Sequence, residues 1–402
     1  MIKHLFKLIW NKKKVNALIV IEILASFLVL FAVVTIGVVS IERYNQPLGF
    51  TYADVWNIQI DSRLSFDSTN NGIKRQTMRQ LLLTMQQLPE MEEVCGWACP
   101  PYSNSTSIRS SEVKGRKITT LIHHSSEQAK NVLGLHLVEG RWFEEGDKAL
   151  SWIPVVINKQ YQEERFGKDS ALGKNPYSEE RIPGNKAREH RVVGVIDDMR
   201  KGGEFSEPTN VCIEYFDIER TTQPMSSDLL IKVRPGTTAA FKEKLSRSME
   251  SVAKGWAFEI KTLEELRKAD FKLRFTFIIV VGLIAAFLLL MVALGLIGVM
   301  WQNVTRRTQE IGLRRALGST ERNIYKQILG ELLVLTTFGL LIGTIIIVQF
   351  PLLDIISFIS IKVYTVSFLA ATLMMYLLTL FCGLYPSLLA MEIEPAEALH
   401  YE

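Results

Sequence analysis

Residues 275–300 read FTFIIVVGLIAAFLLLMVALGLIGVM, an unbroken apolar run without one ionisable side chain. About 20 such residues suffice for a helix to cross the hydrocarbon core of a bilayer, where a helix satisfies all of its own backbone hydrogen bonds. Three more stretches read the same way. Asn16–Ser40 holds Glu22 as its sole charged residue, and Leu332–Phe350 and Val366–Ala390 hold none. Four transmembrane helices are therefore predicted, over 16–40, 275–301, 329–350 and 366–390. Composition agrees, because a mean hydropathy of +0.15 with 22% charged residues is too apolar for an ordinary soluble enzyme.

Charge sets the expected topology, since basic residues are retained on the cytoplasmic side of short flanking segments. Lys3, Lys7, Lys12, Lys13 and Lys14 precede the first span. Between the second and third spans lie Arg306, Arg307, Arg314, Arg315, Arg322 and Lys326 against Glu310 and Glu321. Both termini and this connection are thus expected in the cytoplasm, with 41–272 and the short 351–365 connection outside. The pI of 8.7 then reports topology and contact with lipid. No basic patch with aromatic platforms points to nucleic acid. A cleaved signal peptide does not fit the amino terminus, because the apolar run is too long and Ser40-Ile41-Glu42-Arg43-Tyr44 offers no small-x-small site. Within residues 1–15, Ile2, Leu5, Phe6 and Ile9 stand at helical spacing opposite lysines, as in a helix lying in the cytoplasmic interface.

The external region is long enough for two subdomains. Its beginning reads strand (Ala53–Ile60), helix (Lys74–Leu88), strand (Glu93–Trp97), and its end reads strand (Asp228–Val233), helix (Thr238–Ala253), strand (Trp256–Ile260). Two βαβ units pack as a four-stranded sheet with both helices on one face, a ferredoxin-like arrangement. The predicted class is membrane α+β. Ferredoxin-like halves span about 50–102 and 209–262, and a β-rich subdomain is inserted over about 103–208. Lys117–His123, Ile153–Ile157 and His190–Val195 are the strand candidates of the insert.

No catalytic constellation is legible. The chain has no Gly-x-Ser-x-Gly, no His-Glu-x-x-His and no Gly-x-x-x-x-Gly-Lys-Ser/Thr phosphate loop. His123 and His124 are adjacent, so on a strand they point to opposite faces and make a poor metal pair. Cys95, Cys99 and Cys212 lie outside and Cys382 in the last span; a Cys95–Cys99 bond has indifferent geometry, and free buried thiols are the simpler reading. Glu22, about two turns into the first span, either snorkels toward the inner interface and Lys12–Lys14 or braces a neighbouring helix.

The most specific stretch is Thr305-Arg306-Arg307-Thr308-Gln309-Glu310-Ile311-Gly312-Leu313-Arg314-Arg315-Ala316-Leu317-Gly318-Ser319. By pattern alone it is a short helix with Glu310 four residues before Arg314 and a small apolar face of Leu313, Ala316 and Leu317, or simply a positive-inside loop. It resembles the corresponding segment of the MacB, LolC/LolE and FtsX group of ABC permeases, the FtsX-like or type VII family. The likeness extends to Val138-Glu139-Gly140-Arg141-Trp142-Phe143, to Val155–Asn158 with Phe166-Gly167 and Leu172-Gly173-Lys174, to Arg191–Val195, and to the tail Pro395-Ala396-Glu397-Ala398-Leu399.

The resemblance implies a non-catalytic permease subunit of the bacterial inner membrane that dimerises with itself or with a related permease. It would work with two copies of a separate ABC ATPase, which binds ATP and magnesium while this chain binds no cofactor. A coupling helix within 302–326 would meet the ATPase through Arg306, Arg307, Glu310, Ile311, Gly312, Arg314, Arg315, Ala316, Leu317 and Gly318. A periplasmic adaptor and an outer-membrane channel are further partners that it implies, and it implies stalks that continue the first two spans outward, over Ile41–Asn45 and 262–274. The implied mechanism is mechanotransmission, in which ATP-driven motion reshapes the external domain to expel peptides, antibiotics or other envelope cargo. An FtsX-like regulator of an envelope enzyme and a lipoprotein-release permease are the alternatives within the family. From the residues alone, a membrane-anchored binding or sensor protein without an ATPase stays open.

Overall fold

The computed structural model describes residues 13–61, 71–113, 115–177, 189–216, 228–353 and 359–391. The expected interfacial helix falls largely outside them, and so does the Pro395–Leu399 tail. In chain order the elements are α1 (Lys13–Tyr44), β1 (Val55–Asp61), α2 (Asn71–Gln86), β2 (Met91–Gly96), β3 (Ile108–Val113), β4 (Arg116–Ser125) and α3 (Ala129–Leu133). There follow β5 (Leu137–Gly140), β6 (Ile153–Asn158), α4 (Lys159–Phe166), β7 (His190–Ile196), β8 (Asn210–Tyr215), β9 (Asp228–Val233), α5 (Ala239–Val252) and β10 (Ala257–Thr262). The chain closes with α6 (Leu263–Arg306), α7 (Thr308–Ala316), α8 (Glu321–Leu352) and α9 (Ile361–Met391). Two compact units result, one of residues 43–274 and one of 1–42 with 275–402.

Within the first unit, β10–β1–β9–β2 form an antiparallel sheet. Met78, Leu81 and Met85 put one stripe on α2, and Phe241, Leu245 and Met249 put another on α5. Both stripes are buried with Ile58, Ile60, Val94, Ile231 and Ile260 of the sheet, because spacings of three and four residues return to one helix face. This strand order with both helices packed together is the ferredoxin-like split βαβ arrangement. The inserted part is a six-stranded sheet in the order β3–β4–β8–β6–β7–β5, parallel at β4/β8 and β6/β7 and antiparallel elsewhere.

One boundary needs correction. The sequence reading gives residues from 209 onward to the ferredoxin-like part, whereas β8 sits in the middle of the inserted sheet. All six residues of β8 are buried, and a strand covered on both faces reads as a continuous run with no inward-outward alternation to reveal its partners.

Among the described residues four helical stretches are long and apolar enough to cross a membrane, Ile19–Tyr44, Leu263–Arg306, Glu321–Leu352 and Ile361–Leu384, and most of each belongs to the second unit. Stalk and second span are thus one uninterrupted helix, α6. Glycines let α1 and α8 approach closely: a Cβ on Gly339 would lie 2.8 Å from Ile23 Cγ2, and one on Gly343 would lie 2.5 Å from Phe27 Cδ1. Such small-residue notches are how helices associate in lipid, where burying apolar surface gains little. Between α8 and α9, Thr336 and Thr379 share a hydrogen bond of 3.1 Å, and Thr337 lies 3.0 Å from the Tyr376 hydroxyl. Phe277, Leu283, Phe287, Leu290 and Leu294 of α6 are exposed. A row of that kind suits lipid or a partner helix and would be a liability in water.

Candidate coupling site

The expected coupling segment over 302–326 divides among three helices. Arg306 closes α6, α7 is a nine-residue helix, and residues 321–326 form the first turns of α8. The apolar runs end before the helices do, so hydropathy places the spans but not the polar turns that extend them. Gly318 ends this short helix at φ +95°, with Ser319 N–H donating to Arg314 O at 2.9 Å. That bond reaches back five residues and closes a left-handed cap of the kind glycine favours.

α7 is fastened to α8 by a continuous set of hydrogen bonds. Arg307 Nη1 donates to Glu331 Oε2 at 2.8 Å and to Oε1 at 3.1 Å. Gln327 Nε2 donates to Glu331 Oε1 at 3.3 Å, while Gln327 Oε1 accepts from Arg314 Nη1 at 2.6 Å. Arg314 Nη2 also donates to Glu310 Oε1 at 2.6 Å. The neutral amide of Gln327 thus faces an arginine with its oxygen and a glutamate with its nitrogen, which joins two ion pairs without a charge clash. The Arg307 and Glu331 side chains are each only 17% exposed. Beneath them Ile311 is buried with Val304, Ile324 and Ile328.

The opposite face is open. Leu313 is 51% and Leu317 80% exposed, and Arg306, Glu310, Ala316 and Gly318 are exposed as well. The expected apolar face of Leu313, Ala316 and Leu317 therefore exists and points away from the bundle. Ile311 and Gly312, expected to meet a partner, are buried within the chain, and Arg307 is engaged with Glu331. The side chain of Arg315 lies outside the described residues. What sequence reasoning missed is the α8 half of the site, Gln327 and Glu331, whose spacing of four is the signal that could have found them.

Glu22 lies against the backbone of Gly295 on α6, where a Cβ would collide with its carboxylate. Among the described residues no group of three His, Cys, Asp or Glu side chains is placed to hold a metal ion. His123 stacks on Trp97 with ring centroids 5.2 Å apart, and its Nδ1 lies 3.0 Å from Ala98 O. Burial pushes its pKa down to about 4. His124, on the other face of β4, has Nδ1 3.6 Å from the carboxylate of Glu214. Glu214 is a buried acid that the sequence reading did not single out; it accepts from Tyr177 Oη at 2.6 Å and lies 3.5 Å from His190 Nε2 and 3.4 Å from Arg109 Nη1. Burial alone would raise its pKa, but these partners hold it down to about 2. All four cysteines are free, and burial pushes the Cys95 and Cys212 thiols up.

Comparison with known proteins adds to this geometry. A family model described as the MacB-like periplasmic core domain matches residues 18–248, and one described as the FtsX-like permease C-terminal matches residues 282–395. The macrolide export ATP-binding/permease protein MacB of Bdellovibrio bacteriovorus is 26% identical over 279 residues, covering 65% of this chain and 41% of that protein. The ABC transporter permease YvrN of Bacillus subtilis is 27% identical over 285 residues, covering 67% of each chain. The chain thus spans about two fifths of the length of that MacB relative. The crystal structure of the periplasmic region of MacB from Actinobacillus actinomycetemcomitans aligns with a TM-score of 0.36 at 17% identity, covering 57% of this chain and 97% of that one.

Proposed function

This chain belongs to the MacB-like, FtsX-type family of ABC transporter permeases, and from that premise we propose that α7 is the coupling helix through which a separate ATPase drives it. The observation that carries the reading is the contrast between the two faces of α7. Arg307 just before α7 and Arg314 on it are held to α8 through Glu331 and Gln327, and Glu310 joins Arg314 from the exposed side. The opposite face holds Leu313 and Leu317 open beside Arg306. A rigid mount with an exposed apolar knob suits a docking element, because force applied at the knob passes to α8 without being lost in loop motion.

The nucleotide-binding function is assigned to a partner ATPase, with residues 306–320 cytoplasmic, residues 43–274 outside, and a second permease copy or a related permease completing the dimer. ATP and magnesium belong to that ATPase. The cargo is assigned to the outside of the membrane and the action to mechanotransmission. In support, three buried hydroxyls of the bundle turn inward upon helix backbone, Ser26 on Glu22 O, Thr35 on Phe31 O and Thr336 on Leu332 O, while Ser367 Oγ and Thr372 Oγ1 are buried without a hydrogen-bond partner among the described residues. Hydroxyls spent on backbone do not line a hydrophilic path. Leu317→Glu tests the proposal. Removing an exposed apolar anchor and adding a charge costs about 2 kcal/mol or more, roughly thirtyfold in affinity. Co-purification of the ATPase should collapse while the permease stays in the membrane; undiminished recovery would sink the assignment.

A further inference from the structure

The loop between β7 and β8 carries charged side chains that no membrane or docking role uses. Arg200 is only 2% exposed, Lys201 4% and Glu204 6%. Burying such groups is costly unless they find partners; Lys201 Nζ donates to Ser105 O, while Arg200 and Glu204 reach the two chain segments at the ends of the unit 43–274. Arg200 Nη1 donates to Arg43 O at 2.7 Å and to Glu204 O at 2.8 Å, Nε donates to Pro47 O at 3.0 Å, and Nη2 donates to Gln46 O. Its backbone N–H donates to Leu48 O at 2.9 Å. The guanidinium therefore caps the carboxyl-terminal end of α1, where unsatisfied carbonyls and the helix dipole favour a cation.

The same loop grips the first turns of α6. Glu204 Oε1 accepts from Arg267 Nε, and the Phe205 ring sits 5.4 Å from Phe271 on α6 and 5.9 Å from Tyr44 on α1. Arg43 Nη2 donates to Glu207 Oε1 at 2.6 Å. The turn needs glycine at 203, with φ +83° and with Tyr102 Cε1 only 2.7 Å from where a Cβ would stand. Arg200 and Glu204 face each other through the backbone of this turn, so side chains that touch different helices share one short, close-packed segment.

We propose that residues 199–207 form a latch that holds the end of α1 and the start of α6 to one rigid loop, with Arg200 and Glu204 as its positioning residues. A displacement of either helix end is then passed to the other and to the strand β8 that follows the loop. The source of that displacement rests on the ATPase-driven reading above; the latch itself does not.

The test is hydrogen–deuterium exchange on the full chain in lipid nanodiscs. Glu204→Gln keeps shape but removes the charge that accepts from Arg267 on α6 and that also acts on Arg200 and Tyr102. Loss of a charge-assisted hydrogen bond should accelerate exchange roughly tenfold, and the latch requires acceleration at 43–48 as well as at 263–274, with β1 and β9 unchanged. Arg267→Met, on the more exposed side of the pair, should reproduce the pattern and serves if the first variant misfolds. Acceleration confined to 263–274 in either variant overturns the latch. Adding ATP to the complex with its ATPase separates the two ideas. A variant effect at both ends with no response to ATP leaves the latch standing and removes the mechanotransmission reading; a variant effect at one end removes the latch whatever ATP does.

Discussion

Arg307→Met is the sharpest perturbation of the coupling mount. The substitution keeps the length of the side chain and deletes both bonds to Glu331, at 2.8 and 3.1 Å. Breaking a fully buried ion pair costs on the order of 3–5 kcal/mol, and an exposed pair is worth under about 1 kcal/mol. With each side chain 17% exposed, a value of about 2 kcal/mol lies between these limits and equals roughly thirtyfold in the opening equilibrium of α7. Ile311, 7% exposed beneath the helix, reports the opening. A cysteine introduced by Ile311→Cys should be labelled by maleimide roughly thirtyfold faster in the Arg307→Met background, read peptide by peptide against Cys382. Because much of that cost comes from the unpaired Glu331 carboxylate left behind, adding Glu331→Met should bring the labelling rate back toward the parent. Labelling within threefold of the parent with Arg307→Met alone would refute the claim that this pair holds α7 down.

Three other outcomes follow from the geometry. Gly343→Leu drives a side chain into Phe27, whose Cδ1 would be 2.5 Å from the new Cβ; it should destabilise the α1–α8 crossing by about 1–3 kcal/mol, measured by unfolding in mixed micelles, with partial rescue by Phe27→Ala. Gly318→Val puts a β-branched residue at φ +95° and should weaken the α7 cap by roughly 1–2 kcal/mol, seen as faster amide exchange over 313–319. His123 sets an acid limit on the unit 43–274. Its folded pKa is depressed to about 4 from 6.5, so the unfolded chain binds the extra proton, and the stabilisation is complete above about pH 6.5 and lost as pH falls toward 4. The loss is about 3 kcal/mol, and His123→Phe should flatten the dependence of unfolding free energy on pH in that window.

How far the fold was readable depends on which physical constraint wrote it. The membrane imposes a length and forbids charge, so 275–300 announces a spanning helix without any partner being known. The ferredoxin-like halves were legible because α2 and α5 each expose one face, which spaces Met78, Leu81 and Met85, and Phe241, Leu245 and Met249, at helical intervals. β8 carried no such spacing, being buried on both faces, and its sheet could not be inferred from its neighbours in sequence. In the candidate coupling site the outward residues Leu313 and Leu317 were legible, whereas the inward placements of Ile311 and Arg307 depend on α8. Arg307 and Glu331 are 24 residues apart, and only the return of the chain brings them together. Arg200 is the extreme case: three of its four side-chain acceptors lie more than 150 residues earlier, and nothing in Asp198-Met199-Arg200-Lys201 separates a buried cap from a solvated basic turn.

The most direct test of the coupling account is a photo-crosslinking amino acid placed at Leu317 in the intact cell, with Leu283 on α6 as the lipid-facing control; both positions are exposed in the chain itself, at 80% and 66%. The account predicts a covalent adduct at 317 with a polypeptide that carries a nucleotide-binding phosphate loop, and no such adduct at 283. Absence of that adduct at 317, or equal yields at the two positions, would contradict it.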